Sequence, residues 1–239
     1  MKTITACITN KCNLKCKKSI GGYDCVAGCA SPLVNIKTEI DFNSLTKWLN
    51  KYTPNCAVHI SGGEPILHNY IRSGIDMLLT NGFDVTMFSN ATMLKQYPWV
   101  YDLPIKWHVT HHQWSQTVES FFENINRLNK DKTIINAIFP ERPSKEIYDN
   151  YIGWKFYPSK INGTYFDFSG EEITGIPNET IELVGIDGRI HTCSNNKRSV
   201  GNIYDLSYDY DKVNNWKCYA CKFPDKCQAA LTAQLMQTI

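Results

Sequence analysis

The chain has 239 residues and a mass of 27.3 kDa, enough for one domain, or one large domain with a small appendage, around a substantial core. A formal net charge of +2 gives no field strong enough to indicate a nucleic-acid partner or a charged membrane surface. Ten cysteines are about 4% of the residues, whereas a disulfide-stapled scaffold has roughly 8–10%. Disulfides are therefore not expected to hold this fold together.

The N-terminus indicates where those cysteines work. Met1 to Thr9 contain one lysine and a β-branched run, without the basic region, apolar core and cleavage site of a signal peptide. No apolar stretch approaches the length that crosses a bilayer. We expect a cytoplasmic protein with no membrane partner, in a reducing compartment where clustered cysteines typically bind metals or catalyse reactions.

The first two-thirds of the chain alternate predicted strands with predicted helices. Short β-branched or aromatic runs predict strands at Thr3–Ile8, Cys56–Ser61, Asp84–Ser89, Lys106–Thr110, Thr133–Phe139 and Lys155–Tyr157. Apolar periodicity predicts helices at Phe42–Tyr52, Tyr70–Thr80, Ser115–Leu128 and Ser144–Tyr151. This alternation is typical of an α/β fold with a parallel sheet, which we interpret as a partial (β/α)6 TIM-like barrel. Chemistry in such barrels lies at the carboxyl ends of the strands.

The pattern changes near residue 160, where we place a soft boundary between domains 1–160 and 161–239. Short strands are predicted at Thr164–Phe168, Ile181–Gly185 and Arg189–Thr192, with Asp187-Gly188 as the turn of a β-hairpin. A cysteine-rich tail follows, and Gln228–Gln237 is predicted to form a closing helix. The second domain is thus a small hairpin plus helix.

Four cysteines follow the first predicted strand: Cys12, Cys16, Cys25 and Cys29. Thiolates spaced along a loop can converge on an iron–sulfur cluster. Ordinary core packing is a poor explanation for the first two, because their neighbours Asn10, Lys11, Asn13 and Lys15 are polar.

A glycine pair ends the second predicted strand. Gly62 and Gly63, followed by Glu64 and Pro65, let a ligand approach the backbone closely and bind its N–H and C=O groups. A glycine pair alone is more typical of a plain strand-to-helix turn.

The two elements together resemble the radical S-adenosylmethionine (SAM) superfamily, over roughly residues 3–160. The segment Cys12–Cys16 matches the start of that family's C-x3-C-x2-C motif, and Gly62–Pro65 match its GGEP motif. The resemblance implies that three thiolates hold a [4Fe–4S] cluster whose fourth iron binds SAM, with Gly62, Gly63 and Glu64 near the methionine amino group. It implies reductive cleavage of SAM to a 5′-deoxyadenosyl radical that abstracts hydrogen from a substrate, and an electron donor such as flavodoxin or ferredoxin.

The third cluster ligand departs from the family pattern. Position 19, where the family has cysteine, is Ser19, so an insertion postpones the ligand to Cys25 or Cys29. We favour Cys25, because Tyr23 lies nearby and the family has an aromatic residue beside this cysteine; Cys29 is the alternative. Nearby lysines could offset the cluster's charge, although a solvated face explains most of them: Lys11, Lys15, Lys17 and Lys18.

Two further segments could contribute to the site. Phe88–Ala91 resemble the family's TNG-like segment, which implies ribose contacts from Ser89 and Asn90; a polar strand end is an equal alternative. On the fourth strand, alternation puts His108, Thr110 and His112 on one face. Packing explains this face most simply, ahead of a polar wall facing the substrate or a zinc site.

The C-terminal cysteines form a second group: Cys193, Cys218, Cys221 and Cys227. A C-x2-C pair with two further cysteines is typical of a four-thiolate site for zinc or an iron–sulfur cluster. With Gly188–Cys193 and Val200–Asp205, they resemble the SPASM or twitch extension, which implies one auxiliary [4Fe–4S] cluster for electron relay or structural closure. Cys7 and Cys56 are predicted to pack in the core.

The substrate remains open between a peptide and a nucleotide or modified base, as does the reaction outcome. The alternative from another class is a non-catalytic metal-binding module, with structural zinc at the C-terminal cysteines and a degenerate N-terminal loop.

Overall fold

The computed structural model describes residues 2–14, 39–113, 115–139, 149–160, 182–192 and 199–214. Its strands are β1 Thr3–Thr9, β2 Ala57–Gly62, β3 Asp84–Ser89, β4 Lys106–His112, β5 Thr133–Phe139, β6 Lys155–Lys160, β7 Glu182–Val184, β8 Arg189–His191, β9 Gly201–Asn202 and β10 Ser207–Tyr208. Its α-helices are α1 Phe42–Tyr52, α2 Ile71–Thr80, α3 Val118–Ile125 and α4 Tyr210–Asn214. Short 3-10 helices are Pro65–Leu67, Leu94–Gln96, Pro98–Asp102 and Lys130–Lys132.

The predicted parallel sheet is confirmed. Strands β1 to β6 lie side by side in chain order, and every neighbouring pair among them is parallel. The carboxyl ends of these strands therefore meet at one edge of the sheet. The described strands form an open sheet with β6 and β10 at its two edges, so a closed barrel is not observed.

The C-terminal hairpin joins the same sheet. β7 pairs in parallel with β1, and β8 returns antiparallel to β7 through the predicted turn at Asp187-Gly188. Gly188 has φ +76° there, which a residue with a side chain rarely adopts. The boundary near residue 160 stays a prediction, and the described strands on both sides of it share one sheet.

Local signals explain the helix boundaries. α1 has the predicted bounds because the Asp41 side chain caps it, accepting from the Ser44 N–H at 2.9 Å. α3 begins at Val118 rather than at the predicted Ser115, because Thr117 caps it by accepting from the Ser120 N–H, and it ends at Ile125 rather than at Leu128. The predicted strand Thr164–Phe168, the helix Gln228–Gln237 and most of the helix Ser144–Tyr151 lie outside the described residues. Among the described helices, none has the length and apolar character needed to cross a bilayer.

The two faces of the sheet differ in chemistry. One face packs against α1, α2 and α3 through a core that includes Ile4, Val58, Met87, Val109 and Ile135. The opposite face of β1 to β5, which we call the polar face, carries Thr5, Cys7, His59, Ser61, Thr86, Phe88, His108, Thr110 and Asn136. Cys56 is buried in the core as predicted, whereas strand alternation puts half-buried Cys7 on the polar face.

Candidate active site

The glycine pair Gly62-Gly63 contacts the start of the segment between Thr9 and Glu39, which carries four cysteines and which we call the cysteine loop. The Gly63 N–H donates to the Thr9 carbonyl and the Glu64 N–H donates to the Lys11 carbonyl, both at 2.7 Å. A Cβ on Gly63 would lie 2.2 Å from the Lys11 oxygen, and one on Gly62, which has φ +126°, would lie 2.3 Å from the Thr9 oxygen. The close approach that requires glycine is therefore made by the chain's own cysteine loop.

The cysteine loop is closed at its base by Glu39. Residues Thr9 and Glu39 form an antiparallel bridge, and the Lys11 ammonium lies 2.8 Å from the Glu39 carboxylate. The same carboxylate accepts from the Asn69 N–H at 2.9 Å. The two ends of the cysteine loop, Thr9 and Glu39, therefore lie next to each other beside the glycine pair. The positive charge of Lys11 is paired with the Glu39 carboxylate, so Lys11 is not a free counter-charge for an iron–sulfur cluster.

Glu64 ties the end of β2 to the end of β3. Its buried carboxyl group accepts from the Asn90 N–H at 2.8 Å and from the Ser89 hydroxyl at 3.0 Å. Burial raises the pKa of Glu64 to about 7, against the opposing effect of these hydrogen bonds and a weaker one from the Ile66 N–H. The cost of desolvating the carboxylate is thus larger than the gain from its donors.

Asn90 in turn binds the cysteine loop. Its side-chain amide donates to the Asn13 side chain at 2.9 Å, and the Asn13 amide donates to the Thr92 hydroxyl at 2.6 Å. The Thr92 N–H closes the group by donating to the Asn90 side chain at 3.0 Å. Asn13 and Thr92 were not predicted as site residues; the position of Asn13 beside Cys12 was the available signal.

Gln116, four residues after the end of β4, supports Asn90 from a second side. The Gln116 side chain donates to the Asn90 carbonyl at 3.0 Å, and the Gln116 carbonyl lies 3.0 Å from Nε2 of His111. The other ring nitrogen of His111 lies 2.7 Å from the Tyr151 hydroxyl. Both nitrogens of this buried imidazole are therefore partnered, and the ring positions the loop after β4.

The structure brings together the predicted residues that it describes. Cys12 and the residues Gly62, Gly63, Glu64, Ser89 and Asn90 meet at the carboxyl ends of β1, β2 and β3. The other predicted metal ligands lie outside the described residues: Cys16, Cys25, Cys29, Cys193, Cys218, Cys221 and Cys227. Within the described ranges, no group of three or more His, Cys, Asp or Glu could hold a metal, so the β4 histidines form no zinc site with described residues.

The polar face carries a buried and unpaired histidine. His108 is 3% exposed, and within the described part of the chain neither of its ring nitrogens has a hydrogen-bond partner. Its ring packs 4.6 Å from that of Phe88, which lies 5.3 Å from the ring of His59. Burial, with a smaller contribution from His59, lowers the pKa of His108 to about 3, so the imidazole is neutral at pH 7.

The fold is an α/β fold built on a parallel sheet, with a polar cluster at the carboxyl ends of its first strands. No protein family and no curated protein matches the chain by sequence.

Solved structures do match the fold of the chain. Streptococcus suis SuiB bound to S-adenosylmethionine aligns with a TM-score of 0.51 and 13% identity, over 95% of this chain and 72% of that one. SuiB bound to the precursor peptide SuiA gives 0.50 and 12%, over 95% and 70%. A further SuiB structure gives 0.52 and 13%, over 92% and 66%. At these identities, the likeness establishes the fold.

Proposed function

We propose that this protein is a radical SAM enzyme. The observation that carries the proposal is the backbone contact between the two motif segments, in which the amides of Gly63 and Glu64 hold Thr9 and Lys11 just before Cys12. The fold that the chain shares with SuiB, which was solved with bound S-adenosylmethionine, supports the same assignment.

The described donors fit the cofactors. Cys12 supplies one thiolate at the base of the loop, and the glycine pair keeps side chains away from the adjacent backbone. We propose that Cys12, Cys16 and Cys25, with Cys29 as the alternative third ligand, hold a [4Fe–4S] cluster. SAM would lie against Gly62, Gly63 and Glu64, with Ser89 and Asn90 toward its ribose. When bound, the [4Fe–4S] cluster and SAM together would supply a 5′-deoxyadenosyl radical for hydrogen abstraction.

The hydrogen-bonded side chains at the ends of β2 and β3 position the ligands of the cluster and of SAM. Glu64 binds Asn90, and Asn90 binds Asn13 beside Cys12, so one chain of hydrogen bonds joins the cluster loop to the strand ends. An electron donor of the flavodoxin or ferredoxin class would supply the reducing electron in the cytoplasm, where reduced thiolates persist. The C-terminal cysteines Cys193, Cys218, Cys221 and Cys227 would hold an auxiliary [4Fe–4S] cluster within a SPASM- or twitch-like domain.

A peptide is the proposed substrate. One of the similar solved structures is SuiB with a bound precursor peptide. Among the described residues, the polar face beyond the first residue of each strand offers neutral hydrogen-bonding groups rather than cations for a nucleotide phosphate. Hydrogen abstraction from a peptide would then occur above the carboxyl ends of β1 to β4.

The test is anaerobic reconstitution with iron and sulfide. Two clusters predict brown protein with about eight irons per chain, and release of 5′-deoxyadenosine from SAM on reduction. Cys12→Ala should lose the cleavage, whereas the matched variant Cys56→Ala, which alters a core cysteine, should keep it. Colourless protein that carries one zinc would instead establish the metal-binding module.

Separate variants assign the remaining ligands. Cys25→Ala should abolish cleavage while Cys29→Ala retains it; the reverse result would exchange their roles. Cys221→Ala should lower the iron content from about eight to about four per chain. An unchanged iron content in that variant would rule out the auxiliary cluster.

A further inference from the structure

The polar face contains hydrogen-bonding capacity that the fold itself does not use. His108 is 3% exposed, and its two ring nitrogens have no partner within the described residues. A buried polar group without a partner costs about 1–3 kcal/mol, so such groups are uncommon unless a ligand completes them. His111, three residues along the same strand, shows the usual arrangement, because both of its nitrogens are partnered.

The surroundings of His108 are uncharged on the side toward the carboxyl ends of the strands. There its neighbours on the polar face are Phe88, Ile134 and Thr110, with Asn136 on the adjacent strand, whereas Lys106 lies two residues before it on the amino-end side. Along the described part of β1 to β6, the charged residues on this face are Asp84, Lys106 and Lys155, and each is the first residue of its strand. Asp84 and Lys106 neutralise each other at 3.0 Å. Charge is therefore confined to the amino end, away from the candidate active site.

A neutral imidazole has one donor and one acceptor, and a peptide amide offers one acceptor and one donor. An anionic phosphate offers acceptors alone and would need cations, which this part of the face lacks among the described residues. The chemistry of the face therefore matches an uncharged amide.

We propose that His108 is a substrate-binding residue, whose two ring nitrogens hydrogen-bond separate uncharged amide groups of the peptide held against the polar face. The inference rests on the proposed function and narrows its substrate class to a peptide that places a neutral segment at this position. Phe88 packs beside the ring, with the two ring centroids 4.6 Å apart and the ring planes tilted by 35°.

The test is equilibrium dialysis of the reconstituted full chain. The probes are a pool of N-acetylated, C-amidated tetrapeptides of Gly, Ala, Ser and Asn, and adenosine 5′-monophosphate. His108→Phe keeps a ring without nitrogens and should retain the pool about tenfold less than the parent protein. His108→Gln, which keeps a donor and an acceptor, should recover most of that loss. His108→Leu serves the same purpose as the Phe variant if that protein does not fold.

The matched control is Thr46→Val on α1. The Thr46 hydroxyl is also buried and unpartnered within the described residues, but it lies on the helix side of the sheet. Its removal should leave peptide retention unchanged. Equal retention by the parent and His108→Phe proteins, no retention by the parent, or preference for the nucleotide would each overturn the inference. Iron content and SAM cleavage, measured on the same samples, test the proposed function separately. If only the assignment of His108 is wrong, both readouts keep the values expected of a radical SAM enzyme.

Discussion

His108 and His111 stand three residues apart on β4, and their rings lie on opposite faces of the sheet. The ring of His111 stacks on Phe121 of α3 at 4.5 Å and is hydrogen-bonded through both nitrogens, whereas His108 faces Phe88 without a partner in the described chain. The same residue type thus serves structure on one face and is available for binding on the other.

The same substitution should therefore have opposite effects at the two positions. His111→Phe removes the hydrogen bonds that the ring makes with the Tyr151 hydroxyl and the Gln116 carbonyl, and should lower the free energy of unfolding by about 2 kcal/mol or more. His108→Phe removes two unsatisfied atoms and should raise it by about 1 kcal/mol. Urea unfolding of the two variants measures both values. A loss of stability in His108→Phe would mean that its nitrogens are satisfied in the folded protein.

Glu64 should make stability fall as the pH rises. Its ordinary pKa is 4.5 and its folded pKa is about 7, so between these values the folded state keeps a proton that the unfolded state releases. This contribution is complete below about pH 4.5 and declines by about 1.4 kcal/mol per pH unit until the folded group ionises near pH 7. Glu64→Gln removes this titration, so the free energy of unfolding of the parent protein relative to that of the Glu64→Gln variant should fall from pH 5 to pH 8.

The measurement is urea unfolding of both proteins at several pH values. Glu123→Gln is the control, because this carboxylate is exposed in a surface pair with Lys95 and its change should alter stability by less than about 1 kcal/mol. A constant difference between the parent and Glu64→Gln proteins from pH 5 to pH 8 would contradict the raised pKa.

Gly63→Ala should displace the start of the cysteine loop. The added Cβ would lie 2.2 Å from the Lys11 carbonyl oxygen, and relieving that contact breaks the hydrogen bond from the Glu64 N–H. We expect a loss of about 3 kcal/mol in the free energy of unfolding. Gly82→Ala is the control: it has φ +81° but nothing within 4 Å of its Cβ, so it should lose about 1–2 kcal/mol. Equal losses would show that the loop base is not closely packed on Gly63.

Asn13 and Asn90 should be energetically coupled. Because their side chains share a direct hydrogen bond, a double-mutant cycle of Asn13→Ala and Asn90→Ala should give a coupling of about 0.5–1.5 kcal/mol in unfolding. The exposed pair Asn50 and Asn81, whose side chains share a 2.8 Å hydrogen bond away from the site, is the control for stability. In equilibrium dialysis of reconstituted protein, only the first pair should affect retention of SAM. Additive effects at Asn13 and Asn90 would mean that the loop is held without this bond.

Much of the architecture follows from local pattern. The bounds of α1, β3 and β5 agree with prediction, because apolar periodicity, the Asp41 cap and dense β-branched or aromatic runs act within a few residues of each element. Alternation along β4 likewise predicted that His108 and Thr110 share a face. The motif segments at Cys12 and Gly62 were recognisable from their resemblance to the motifs of one superfamily, and parallel strands bring such segments to the same edge.

What the tertiary structure decided is which groups meet across long stretches of sequence. Three such contacts depend on how the strands lie side by side, which no local pattern encodes. They are the pairing of β7 with β1, the backbone hydrogen bond from the Glu64 N–H to the Lys11 carbonyl, and the side-chain hydrogen bond between Asn13 and Asn90. The same holds for hydrogen-bond satisfaction. The sequence predicted that His108 shares a face of β4 with Thr110, but whether its nitrogens find partners depends on every side chain packed around it, and that depends on the assembled sheet.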